Sequence, residues 1–137
     1  MTAGFGAGRR VVMLTLDVAV DPRAEREAQA LSDEGFDVVI LAPEGKPMHE
    51  PRFEVERVRI SRTFLQRVRR RARAELLALR GVELNGLEYE FFASARSRRP
   101  DIVHVLDLPL LRAGVALRHV VGARLVYDIR DWYPEQP

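Results

Sequence analysis

The 137-residue sequence contains no cysteine, which excludes a disulfide framework and thiolate chemistry. It also lacks an apolar run long enough to cross a membrane, and its N-terminus has no signal-peptide core. Its histidines, His49, His104 and His119, are scattered along the chain without metal-ligand spacing. These absences predict a cytoplasmic protein without a metal site and without a cofactor held by this chain.

A strong excess of one charge is also missing. The formal net charge is only +2, so the chain as a whole exerts little electrostatic steering. No aromatic residues are interleaved with the basic ones, and no nucleic-acid-reading motif is present. Nucleic acid is therefore not expected as a partner, and local charge clusters are more informative than the total.

Short apolar segments recur along the chain and predict five β-strands. Four of them are rich in branched residues, as in strands buried on both faces: residues 11–16, 36–42, 102–106 and 125–127. Residues 53–60 instead alternate between apolar and charged, which is typical of a half-exposed edge strand.

Segments with helical spacing lie between these strands, at residues 24–34, 62–80, 84–96 and 108–121. Strand–helix alternation predicts a Rossmann-like, doubly wound parallel sheet of about five strands, with helices on both faces. We expect a single domain over residues 1–137 with the first strand central and residues 1–8 flexible. Almost no chain follows the last apolar strand, so we also expect either a truncated domain or a partner that covers this strand.

Carboxylates stand at or just after the predicted ends of several strands: Asp17, Asp21, Asp107, Asp128 and Asp131. In a doubly wound sheet those ends converge on one crevice, where carboxylates can bind sugar hydroxyls or act as a general base. The alternative is helix capping, which Pro22 and Pro109 favour for Asp21 and Asp107.

Three further side chains are candidates at the same crevice. His104 lies inside a strand and is either a core histidine or a direct participant. Arg23 and Arg130 can hold an anionic substrate group by paired hydrogen bonds, with surface ion pairing as the alternative.

The helix predicted over residues 62–80 is both basic and amphipathic. One side carries the apolar residues Phe64, Leu65, Val68, Ala72, Leu76 and Leu79. The other carries the arginines Arg67, Arg69, Arg70, Arg71 and Arg73. This pattern fits a helix that lies on an anionic membrane surface, and it fits the solvated face of an ordinary helix equally well.

Two stretches resemble the N-terminal domain of bacterial glycosyltransferases of family 4, which have two Rossmann-like domains in the GT-B arrangement. The first contains Asp21-Pro-Arg, Arg26-Glu-Ala and the apolar residues 38–41. The second contains Arg99-Pro-Asp-Ile-Val-His, Asp107-Leu-Pro, and Leu125-Val-Tyr-Asp followed by Asp131-Trp-Tyr-Pro-Glu. Together these stretches span most of the chain.

The resemblance implies retaining transfer of a sugar from a nucleotide-sugar donor. It implies that this domain holds the acceptor, while a missing C-terminal domain holds the donor, so that this chain alone is inactive. The acceptor side would be lined by Asp21, Arg23, His104, Asp107, Asp128, Arg130 and Asp131. No catalytic residue is assigned, and Asp107, Asp128 and Arg130 are the candidates. Arg130 stands where many relatives have a histidine.

A lipid-linked acceptor would place the protein peripherally at the inner membrane face, with the arginine-rich helix docked there. A second reading of the chain is a non-catalytic, Rossmann-like interaction module. It would form a homodimer through its exposed fifth strand and Trp132.

Overall fold

The computed structural model describes residues 6–47, 53–60 and 63–129. Within these residues, every segment predicted as a strand forms one. The strands are β1 (Arg10–Leu14), β2 (Asp37–Pro43), β3 (Val55–Val58), β4 (Ile102–Val105) and β5 (Arg124–Tyr127).

The five strands form one parallel sheet in the order β3-β2-β1-β4-β5. The prediction of a central first strand is therefore confirmed. Backbone pairing continues just beyond the strands, because Thr15 N donates to Leu41 O, Leu106 N to Leu14 O and Asp128 N to Val105 O. The first residues after β1, β4 and β5 are thus held at the carboxyl edge of the sheet.

The described residues contain four α-helices: α1 (Pro22–Asp33), α2 (Phe64–Ala78), α3 (Gly86–Ser97) and α4 (Leu111–Val121). Each lies within a few residues of its predicted position. The segment 108–121 differs, because it begins with a separate 3-10 turn at Leu108–Leu110 before α4 starts. Pro109 lies in that first turn and lacks the N–H of a regular helical residue.

Apolar side chains cover both faces of the central strands, which confirms the doubly wound arrangement. On one face α1 packs its buried Ala24 and Ala28 in the cluster that holds Met13 and Ile40. On the other, α3 and α4 bury large side chains against the sheet, among them Phe91 and Leu117.

Strand β5 is covered unevenly. Leu125 packs into the core on the α4 side, whereas Val126, which points to the opposite face, is 47% exposed. Ile129, just past the strand, is 62% exposed. The α1 face of the sheet is therefore open above β5.

Helix α2 is the least buried helix of the described chain. Its only buried residue is Leu77, while Phe64 at its start is 76% exposed and Leu79 just past its end is 84% exposed. The predicted apolar stripe exists, but it faces solvent rather than the core.

None of the helices in the described residues is both long and apolar enough to span a bilayer.

Candidate functional site

The carboxyl edge of the sheet has a topological switch point between β1 and β4. The chain proceeds from β1 to β2 and β3 on one side, and β4 and β5 lie on the other. The chain segments that leave β1 and β4 continue toward opposite sides of the sheet, and the position between them is where such sheets bind their ligands in a crevice.

Asp107 joins the two loops that frame this crevice. Its Oδ2 accepts hydrogen bonds from Leu16 N at 2.7 Å and from the Thr15 hydroxyl at 3.0 Å. Thr15 is 1% exposed, and its Oγ1 also accepts from Asp17 N at 3.1 Å. A carboxylate from the loop after β4 thereby anchors the first residues of the loop after β1.

The capping role considered for Asp107 is wrong. Its side chain makes no capping hydrogen bond to the 3-10 turn that follows it. The carboxylate instead accepts hydrogen bonds from Thr15 and Leu16, the two residues that follow β1. This role was not visible in the sequence, because the two partners lie about ninety positions away.

Arg57 on β3 stabilises the same edge of the sheet by hydrogen bonds, and the sequence analysis did not select this residue. Its Nη1 donates to Val18 O at 2.6 Å and to Pro43 O at 3.2 Å. Gly45 packs on the same loop so closely that a Cβ there would lie 2.4 Å from Val18 Cγ1. The alternating pattern of residues 53–60 places Arg57 on a polar face, but its carbonyl partners lie in the loop after β1 and at the end of β2.

Asp21 and Arg23 lie together at the start of α1. Asp21 caps the helix by accepting from Arg23 N at 2.7 Å, and its other oxygen is 3.6 Å from Arg23 Nη2. The capping interpretation of Asp21 is therefore confirmed. The Arg23 side chain is 58% exposed, so its paired guanidinium still faces solvent.

His104 and Asp128 meet a third residue, Glu27, which sequence reasoning did not select. One ligand atom from each of the three lies within 4.8 Å of the other two. His104 Nε2 is 3.9 Å from Glu27 Oε2, and the histidine side chain is only 13% exposed. A signal for Glu27 was present, since it is three residues after Ala24 and so falls near the buried side of α1.

These three side chains come from α1, β4 and the end of β5, so only the fold brings them together. An imidazole and two carboxylates can bind a sugar hydroxyl or a divalent transition metal. The remaining predicted site residues, Arg130 and Asp131, lie outside the described residues.

The predicted arginines of α2 do not all face one way. Arg69, Arg70 and Arg73 line a groove of about 550 Å³ between α2, α3 and the end of β3, which Arg59 also lines. The Arg70 guanidinium packs against Gly86, and a Cβ added to this glycine would lie 2.9 Å from Arg70 Cζ. Arg67 and Arg71 lie in the exposed part of α2, and Arg71 forms an exposed ion pair with Glu75 at 3.3 Å.

A model of the family described as glycosyl transferase 4-like domain matches residues 19–137. This match covers more than half of the chain, and the parallel sheet agrees with it. No curated protein and no solved structure matches the chain significantly. The chain belongs to the glycosyl transferase 4-like domain family.

Proposed function

We propose that this family member is the acceptor-binding domain of a retaining glycosyltransferase whose nucleotide-sugar donor is held by a second α/β domain. The observation that carries the proposal is the pair of hydrogen bonds at the β1–β4 switch point by which Asp107 holds the loop after β1. A fixed loop supports acceptor recognition, because hydrogen-bonding groups that are already in place lose little entropy on binding.

The proposed roles of the carboxylates follow from their contacts. Asp107 uses one oxygen to hold Leu16 N and the Thr15 hydroxyl, so we assign it a positioning role. Asp21, Arg23, His104 and Asp128 are proposed to face the acceptor. Asp128 is half-buried beside His104 and is the candidate to contact the reacting hydroxyl.

Acceptor binding can be tested on this chain by NMR titration with a panel of sugars and sugar lipids. Amide shifts should concentrate at residues 15–17, 107 and 128, and Asp128→Asn should weaken binding at least tenfold. Asp33→Asn is the matched control, because Asp33 is an exposed carboxylate on α1 that accepts a hydrogen bond from Gln29 of the same helix. Tighter binding of a nucleotide sugar than of every acceptor would contradict the assignment.

The acceptor is proposed to be lipid-linked, because α2 has the form of a helix that lies on a membrane. Its exposed apolar residues form one stripe: Phe64, Leu65, Val68, Leu76 and Leu79, from 46% to 84% exposed. At 3.6 residues per turn the stripe lies opposite Leu77, the residue that anchors α2 to the core.

Charge complementarity supports an anionic lipid surface as the occupant of this stripe. Arg67 and Arg71 fall on one flank of the stripe, and Arg69 and Arg73 fall on the other. An amphipathic helix with this distribution buries its apolar side at the headgroup boundary. Each arginine near an anionic leaflet adds about 1 kcal/mol of attraction at moderate ionic strength.

Vesicle flotation tests the membrane proposal. The chain should float with vesicles that contain phosphatidylglycerol and much less with phosphatidylcholine alone, and salt should weaken the binding. Two double variants should each abolish flotation without unfolding the domain, because all four replaced side chains are exposed. One combines Leu65→Ser with Leu79→Ser, and the other combines Arg67→Glu with Arg71→Glu. Arg118→Glu on α4 is the matched charge control. Flotation that persists in both double variants would refute the proposal.

The second candidate function is a self-associating module, and the exposure of Val126 and Ile129 beside β5 favours it. An edge strand with apolar side chains is a template for pairing with another copy. Light scattering should then show a dimer that Val126→Lys dissociates. A monomer at all concentrations would remove this candidate and leave the acceptor-binding assignment intact.

A further inference from the structure

One carboxylate oxygen in the cluster of Glu27, His104 and Asp128 lacks a hydrogen-bond donor among the described residues. Glu27 Oε2 is buried and has no hydrogen-bond partner among the described residues. His104 Nε2 is 3.9 Å from this oxygen, which is too far for a hydrogen bond. Leaving a buried carboxylate oxygen without a donor is unfavourable.

From this geometry we propose that Glu27, His104 and Asp128 form a binding site for a divalent transition metal, with Zn²⁺ as the preferred ion. The inference does not rest on the proposed function. It departs from the sequence-based expectation of no metal, which considered only the spacing of residues along the chain.

The donor set determines the class of ion. One imidazole nitrogen and two carboxylate oxygens suit Zn²⁺, whereas Mg²⁺ and Ca²⁺ prefer oxygen ligands alone. The three ligand atoms lie within 4.8 Å of one another. Ligand atoms around tetrahedral Zn²⁺ are about 3.3 Å apart, given bonds of about 2.0–2.1 Å. The side chains therefore need to close in by up to about 1.5 Å.

Two features of the fold make this closure feasible and leave the site accessible. The Glu27 side chain is 40% exposed, so it can change rotamer without disturbing the core. The neighbouring face of β5 is open at Val126, which gives an ion an entry path. Three protein ligands leave a fourth position for water or a substrate hydroxyl.

A bound ion would also have a structural consequence. It would join α1 to β4 and to the end of β5, three elements far apart in the sequence. The start of α1, with Asp21 and Arg23, would then be fixed relative to the crevice.

The test is calorimetric titration of the chain with Zn²⁺ alone, with Mg²⁺ and Ca²⁺ as comparison ions. We expect saturable one-to-one binding of Zn²⁺ that weakens as the pH falls from about 7.5 to 5.5, because a protonated imidazole cannot bind a metal. Glu27→Gln, His104→Asn and Asp128→Asn should each weaken the affinity at least tenfold. Asp33→Asn and His119→Asn, which alter exposed groups on α1 and α4, should not.

A second measurement keeps the test decisive if a variant fails to fold. In the unmodified chain, the side-chain ¹⁵N resonances of His104 should shift on addition of Zn²⁺, while those of His119 should not. Absence of saturable binding would overturn the proposal. Binding that leaves the His104 resonances unchanged, or that survives both carboxylate substitutions, would overturn it as well.

Discussion

At the scale of single residues, the crevice depends on side chains whose partners are distant in sequence. The Asp107 carboxylate accepts hydrogen bonds from Leu16 N and the Thr15 hydroxyl. The Arg57 guanidinium donates to the backbone carbonyls of Val18 and Pro43. A strand-end aspartate predicts a position on the sheet edge, as it did for Asp107. It does not predict the partner, because that depends on how the strands are ordered.

Replacing Asp107 by Ala should destabilise the domain by about 1–3 kcal/mol. The substitution leaves Leu16 N–H and the buried Thr15 hydroxyl without their acceptor. Thr15→Val should lower the free energy of unfolding by less, since Leu16 N keeps its hydrogen bond to the Asp107 carboxylate. Urea denaturation measures both changes, with Asp33→Ala on the surface of α1 as the control. An Asp107→Ala variant as stable as the control would show that the bridge between the loops contributes nothing.

At the scale of elements, the sequence predicted the existence of strands and helices well and their surroundings less well. Residues 64–78 have helical spacing whichever side faces the core, so periodicity located α2 and its stripe. Periodicity could not indicate that only Leu77 would be buried. Likewise, Glu27 belongs to a correctly predicted helix, but its proximity to His104 depends on how α1 packs on the sheet.

Helix α4 packs so closely on β4 and β5 that it requires glycine at position 114. A Cβ there would lie 2.6 Å from Val105 Cγ2 and 2.7 Å from Leu125 Cδ1, both in the core. Gly114→Ala should therefore destabilise the domain by about 1–3 kcal/mol through overpacking, despite the better helix propensity of Ala. Thermal unfolding should show a lower Tm, and the partly exposed neighbour provides the control Val115→Ala. An unchanged or higher Tm would mean that α4 moves away from the sheet at little cost.

At the scale of the whole molecule, the fold was predictable because its signals are local and repeated. Alternating strands and helices, with a glycine after α1 and α4, specify a parallel sheet before any contact is known. The candidate site was only partly predictable. Strand-end residues such as Asp107 and Asp128 were found from the sequence, whereas Glu27 and Arg57 reach the edge through packing.

The uneven burial of the molecule predicts how its local stability is distributed. Amides of β1 and β4 lie in the centre of the sheet between covered faces, so they should exchange with deuterium only on global unfolding. Amides of α2 should exchange much faster, because Leu77 is the only buried residue of this helix. Anionic vesicles should slow exchange in α2 selectively, since lipid contact on its exposed stripe adds stability that the core does not supply. Mass spectrometry of peptic fragments resolves both regions. Slow exchange throughout α2 without lipid would instead show that its contact with α3 suffices to hold it.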